Sequence, residues 1–247
     1  MSLVDDEIYS QKSSRKRSER PAVKILDYVI YFHEQTYKTP RGPKFTVLEK
    51  QFIAFLESSQ ENYLTWMFPL VGLCHSNLYY PGSTLLHVAV DCGTLILAEW
   101  LLQKGIDPDL RDHVHGHTAL FSKCHSESVV RLLLSYNANP NISSDVRDLP
   151  IHICRSHVIM ELLIAHGSEI NEPNGYWATP LSNAYFWEDE QTIEVLEKSD
   201  VIFNASQDGF SDIHYASSCN KTTTVEKMLN LKFGAYIEEQ RKLKRIL

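Results

Sequence analysis

Apolar residues recur along the chain at three- and four-residue steps, in runs too short to stand alone. Between Ser83 and Asp112, Leu85, Leu86, Val88, Ala89 and Val90 crowd one short segment. Leu95, Ile96, Leu97, Trp100, Leu101 and Leu102 mark a second. This spacing predicts two short helices joined by a tight loop. Isolated helices of this length are marginal in water, and these carry apolar residues on more than one side, so the pair needs a neighbour of its own kind. The chain supplies it by repetition. "TLLH" at 84 returns as "TALF" at 118, "LPIH" at 149, "TPLS" at 179 and "SDIH" at 211, with starts 34, 31, 30 and 32 residues apart. A period of this size is the signature of stacked repeats.

The punctuation has physical causes. Thr84, Thr118 and Thr179, and Ser211 by the same logic, stand where a side-chain oxygen accepts from a free amide of the first helical turn. Pro180 follows Thr179 at the first helical position, where a missing amide hydrogen costs nothing. At the far ends, Gly105, Gly167 and Gly234 suit the left-handed conformation that terminates a helix, and Asn137 takes that place in the second unit. Asp200 is the weakest match.

These residues resemble the ankyrin repeat, with its T-P-L-H start, paired leucines and closing G-A-D-x-N. The resemblance runs from about Pro81 to Tyr236 and implies an all-α solenoid of five helix-turn-helix units joined by short hairpin loops. The second and third units are shortened, so each lacks the tip that joins its two helices. Lys123 and Arg155 fall where the family has small residues.

Other segments flank the repeats. Residues 1–21 are polar, with a basic cluster of Arg15, Lys16, Arg17 and Arg20 that reads as a nuclear import signal, a phosphate contact or a solvated disordered tail. Residues 22–80 carry helical spacing at 23–37 and again from Thr46, where Glu49 completes a capping box. This region is expected to cap the array helically, packing against Leu95 and Trp100, because a repeat array exposes the apolar side of its first unit unless something covers it. The repeats span 81–236, and the basic tail 237–247 is read as polar closure at the other end.

Charge and composition narrow the function. Between residues 21 and 240 there are 15 basic residues against 27 acidic ones, a net charge of −12. Such a body repels phosphate, so the repeat face is not expected to bind nucleic acid and a protein partner with a basic surface is favoured. No run of eighteen apolar residues occurs and the start is acidic and polar, which implies no membrane span and a place inside the cell, in cytoplasm, nucleus or both. Five scattered cysteines, Cys74, Cys92, Cys124, Cys154 and Cys219, read as reduced and mostly buried thiols.

Candidate chemistry is sparse. "HVHGH" sets His113, His115 and His117 in alternation, where side chains two apart share a face, but no acidic second shell accompanies them and neither metal nor cofactor is expected. No phosphate loop or nucleophile motif occurs, so no catalytic residue is assigned. What remains is binding. The resemblance puts first helices and hairpin tips on a concave face, where Val88, Ser122, Ile153, Asn183 and Tyr215 are left open by the pattern. Tyr176, Trp177, Phe186, Trp187 and Tyr215 are expected to form one partner-binding patch with Glu188, Asp189 and Glu190 as its acidic rim. Trp187 has a second reading, in which it covers the missing tip of the shortened third unit. The resemblance also marks Asn171, in "LIAHGSEIN", as a candidate for asparaginyl hydroxylation, ahead of Asn141 and Asn204. The function expected is a non-catalytic adaptor or inhibitor. Two alternatives stay open: a ubiquitin-ligase substrate receptor, disfavoured by the short basic C-terminus, and a distinct module in 22–80 carried by the repeats.

Overall fold

A computed structural model describes residues 43–58, 82–199 and 201, with helical backbone again at 217, 222, 225, 226, 229 and 230. The chain divides into two compact units, Met1–Lys123 and Cys124–Leu247. All regular elements among the described residues are helices.

In the first unit, α1 spans Pro43–Ser58, α2 Leu85–Asp91, α3 Leu95–Gln103 and α4 Ala119–Ser122. Leu48, Phe52 and Leu56 lie four residues apart on α1 and are all buried, the stripe expected of a helix with one covered face. Helix α1 packs against α3. The Trp100 indole donates to Glu57 Oε1 at 3.2 Å, and the Lys104 ammonium stands 3.8 Å from the same carboxylate. Of the region 22–80 expected to cap the array, residues 22–42 and 59–80 lie outside the described residues. Helix α2 packs on both α3 and α4, burying Leu85, Leu86, Val88, Ala89 and Val90.

In the second unit, α5 spans Glu127–Ser135, α6 Pro150–Ile153, α7 His157–Ala165, α8 Pro180–Trp187 and α9 Glu190–Glu197. Second helices α5, α7 and α9 pack in succession, and first helix α6 packs on α8. Leu133, Leu163 and Leu196, one from each second helix, are completely buried.

The local signals act as their chemistry requires. Thr84, Thr118 and Thr179 accept from the amides of His87, Phe121 and Ser182. Gly105, Asn137 and Gly167 adopt φ of +86°, +59° and +82°. Ser211, Gly234 and the rest of the fifth unit lie outside the described residues.

The first helices differ sharply in length. Helices α2 and α8 run seven and eight residues, α4 and α6 only four. Lys123 and Arg155 therefore do not enter a helix interior where small residues would be needed. Lys123 is the C-cap of α4 and reaches Asp91 at 3.4 Å. Arg155 is exposed, in the link between α6 and α7.

Candidate interaction surface

The surface is built from the second hairpin of the Cys124–Leu247 unit, residues 169–178, and from helix α8 that follows it. Asn174 organises the hairpin. Its Oδ1 accepts from the amides of Tyr176 and Ala178, both at 2.9 Å, and its Nδ2 donates to Asp148 Oδ1 at 2.7 Å. A short polar side chain bonding amides a few residues on is the chemistry of an Asx turn. The preceding hairpin is tied in as well, since the Gly175 amide donates to the Val146 carbonyl at 2.9 Å. A β-carbon on Gly175 would stand 2.5 Å from that same oxygen, so the close approach requires glycine. Arg147 adds an ion pair to Glu172 at 3.5 Å.

This scaffold fixes Tyr176 at the tip, 64% exposed. Trp177 beside it is half-buried with φ +63°. Val146 holds the same register one period earlier and is 45% exposed. It joins the tip surface although its residue type alone does not mark it; the 30-residue spacing from Val146 to Tyr176 was the available signal.

The other aromatics sit at the far end of α8. An eight-residue helix is about 12 Å long, so the described residues form two clusters at the ends of one helix. Phe186 and Trp187 are half-buried there, while Tyr185 is core and donates through its hydroxyl to Glu197. The Arg155 guanidinium lies over the Trp187 ring, 4.6 Å from its centroid. Glu188 ends the helix with φ +58° and is exposed. Asp189 serves the backbone: it caps α9, accepting from the Thr192 amide at 3.2 Å and hydroxyl at 2.7 Å. Glu190 is exposed in the first turn of α9. Tyr215 and the cluster Arg15, Lys16, Arg17 and Arg20 lie outside the described residues.

Two positions expected to be open are not. Val88 is buried in the first unit, and Asn183 is 7% exposed, its Nδ2 donating to the His152 carbonyl at 2.9 Å. Stacking of adjacent first helices consumes what a single unit leaves bare. Ser122 and Ile153 are half-buried.

The histidines of the repeats also bond the backbone. His152 Nδ1 accepts from the Leu149 amide at 3.0 Å, and Nε2 donates to the Glu172 carbonyl at 2.8 Å. In the first unit, His87 stands likewise between the Thr84 amide and the His117 carbonyl, at 3.2 and 2.9 Å. A carbonyl can only accept, so both rings are neutral Nε2–H tautomers. Burial holds the pKa of each below the ordinary histidine value. His115 and His117 rings lie 5.2 Å apart, and His117 stacks on Phe121 at 4.2 Å. Among the described residues no group of three or more histidine, cysteine or acidic side chains is placed to hold a metal. Cys92, Cys124 and Cys154 are buried thiols, and burial pushes Cys124 up to about 12 and Cys154 up to about 11. Such thiols are poor nucleophiles at neutral pH.

Asn171 is half-buried. Its counterpart one unit earlier, Asn141, donates to the Gly167 carbonyl and accepts from the Glu169 amide, both at 2.9 Å. No described helix is long and apolar enough to cross a membrane.

Comparison with known proteins places these repeats. Residues 58–144 match the family model for ankyrin repeats in three copies. That match begins ahead of Pro81, the start of the resemblance in the sequence. A 74-residue stretch is 32% identical to a putative ankyrin repeat protein of fowlpox virus (strain NVSL), covering 28% of this chain and 15% of that protein.

Proposed function

From the premise that this chain is an ankyrin-repeat protein, we propose that it is a non-catalytic adaptor or inhibitor that holds a basic protein partner. The partner lies against the hairpin tips and first-helix ends of residues 124–199. Ankyrin repeats generally mediate protein–protein interaction, and two features say where and with what. The observation that carries the reading is Tyr176, largely exposed on a hairpin held by hydrogen bonds and a close glycine contact. An aromatic held rigid in advance gains contact area at small entropic cost. The second is charge. Residues 124–199 hold eleven acidic side chains and four basic ones. Three of the four bases already face carboxylates: Arg131 with Glu127, Arg147 with Glu172, and Lys198 with Glu194. An excess of this size steers positively charged partners.

In this reading Trp177, Phe186, Trp187 and Tyr215 extend the apolar contact, and Glu188 and Glu190 form its acidic rim, while Asp189 holds the helix beneath them. The reading puts the protein inside the cell, with Arg15, Lys16, Arg17 and Arg20 as an import signal and Asn171 as a candidate for hydroxylation.

Cross-linking with affinity capture from cells, followed by titration of the captured partner, tests the proposal. Tyr176→Ala or Trp187→Ala should weaken binding about thirtyfold, the equivalent of roughly 2 kcal/mol for an aromatic anchor, with melting unchanged. Glu188→Lys should slow association, and added salt should shrink the difference. Full binding by both alanine variants would sink the proposed surface.

A further inference from the structure

The four cations of residues 124–199 are not alike. Three stand within ion-pair distance of a carboxylate. Arg155 is exposed, and among the described residues it has the Trp187 ring and neither an ion pair nor a hydrogen bond. Its position is fixed from both sides. The link of Cys154, Arg155 and Ser156 joins α6 to α7. On one side the His152 carbonyl is held by Asn183 at 2.9 Å; on the other Ser156 caps α7 through the Ile159 amide. The Cys154 thiol donates to the Ser156 carbonyl at 3.4 Å within the link. The early stop of α6 is what frees Arg155 to reach across to Trp187.

We propose that Arg155, seated over Trp187, is a preset anchor for an aspartate or glutamate carboxylate of the protein partner. The proposal rests on the protein-binding reading above and adds an acidic contact to an otherwise basic partner. A guanidinium stacked on an aromatic ring has already lost much of its rotamer freedom, yet keeps its N–H fork for a planar, bidentate acceptor. Within a segment holding eleven acids to four bases, a doubly charged phosphate is repelled more strongly than a single carboxylate. One acidic residue placed against one available guanidinium would set the register of a partner that the surrounding field only attracts.

The test uses the full chain and its Arg155→Gln variant as baits for a displayed library of random peptides. Sequences enriched by the wild type should carry an acidic residue at constant spacing from apolar and basic ones, and those enriched by Arg155→Gln should lose it. In a synthetic peptide of the enriched sequence, Glu→Gln should weaken binding to the wild type about tenfold and leave Arg155→Gln unaffected, a coupling that a cycle of both changes isolates. Arg155→Lys should recover only part, because it keeps the charge and loses the fork. Enriched peptides without an acid, or equal binding by Arg155→Gln, would overturn the anchor and leave the protein-binding reading standing. A lowered melting point with unchanged binding would overturn it too, making Arg155 a packing plug. Inorganic phosphate competing better than acetate at matched ionic strength would refute the carboxylate. No enriched sequence at all would bring down both readings.

Discussion

Helices α6 and α8 occupy equivalent places in neighbouring repeats of the same compact unit, yet they start and stop by different chemistry. Thr179 opens α8 with a hydroxyl that accepts from the Ser182 amide. Leu149, at the same place before α6, has no side-chain acceptor, and the start is held by His152 Nδ1 taking the Leu149 amide at 3.0 Å. At the far end, α8 runs eight residues and closes at Glu188 in the left-handed region, whereas α6 stops after four with Cys154 extended. The missing turn is replaced by side chains. Arg155 leaves the short helix and meets Trp187 from the long one. Shortening a repeat therefore creates surface chemistry that a full-length unit, with its backbone filling that space, would not have.

The comparison can be broken first at the core beneath both units. Leu163 on α7 and Leu196 on α9 are fully buried. Aspartate at either position should cost more than about 3 kcal/mol, a large part of a domain's stability, and circular dichroism should show one cooperative loss. If only the Leu196→Asp protein melts in part, the longer unit unfolds separately from the shortened one.

The next largest effect should fall at the start of α6. His152→Ala strands the buried Leu149 amide and removes the bond to the Glu172 carbonyl, at a cost of about 2 kcal/mol, whereas Thr179→Ala at the start of α8 removes one cap and should cost about 1 kcal/mol. Equal losses in urea melts would remove the proposed exchange of roles. His152 and His87 also set a pH dependence. Burial depresses both pKa values in the fold, so the unfolded chain takes up protons first, near the ordinary value of about 6.5. Stability should stay level above that pH and fall below it, by up to about 1.4 kcal/mol per pH unit for each histidine. Urea melts at about pH 7.5 and 5.5 should show the drop, and His152→Ala should reduce it.

The smallest effect has the opposite sign. Glu188 holds φ +58° at the end of α8, a conformation that strains any side chain and suits glycine. Glu188→Gly should raise stability by about 0.5 kcal/mol while slowing association with the proposed basic partner. A loss of stability in the thermal melt would show that the Glu188 side chain contributes more than its backbone strain costs.

What the sequence determined alone is what depends on neighbours within one helical turn. The three- and four-residue spacing places the helices, Thr84, Thr118 and Thr179 cap them, and Gly105, Asn137 and Gly167 end their partners in the left-handed region. Each rests on bonds spanning five residues or fewer, which a local pattern encodes. Val146 as a tip residue was also within reach, through the repeat period. The tertiary structure decided the rest. Asn183 and Val88 look open within a single unit and are buried by stacking. Asp148 meets Asn174 across 26 residues, His152 meets the Glu172 carbonyl across 20, and Asn183 meets the His152 carbonyl across 31. Trp177, Arg147 and Glu188 take positive φ though none is glycine, and Arg155 finds Trp187 only because α6 ends early beside α8. Such contacts join residues 20 to 32 positions apart, so their partners are set by how the units stack and by how long each helix runs.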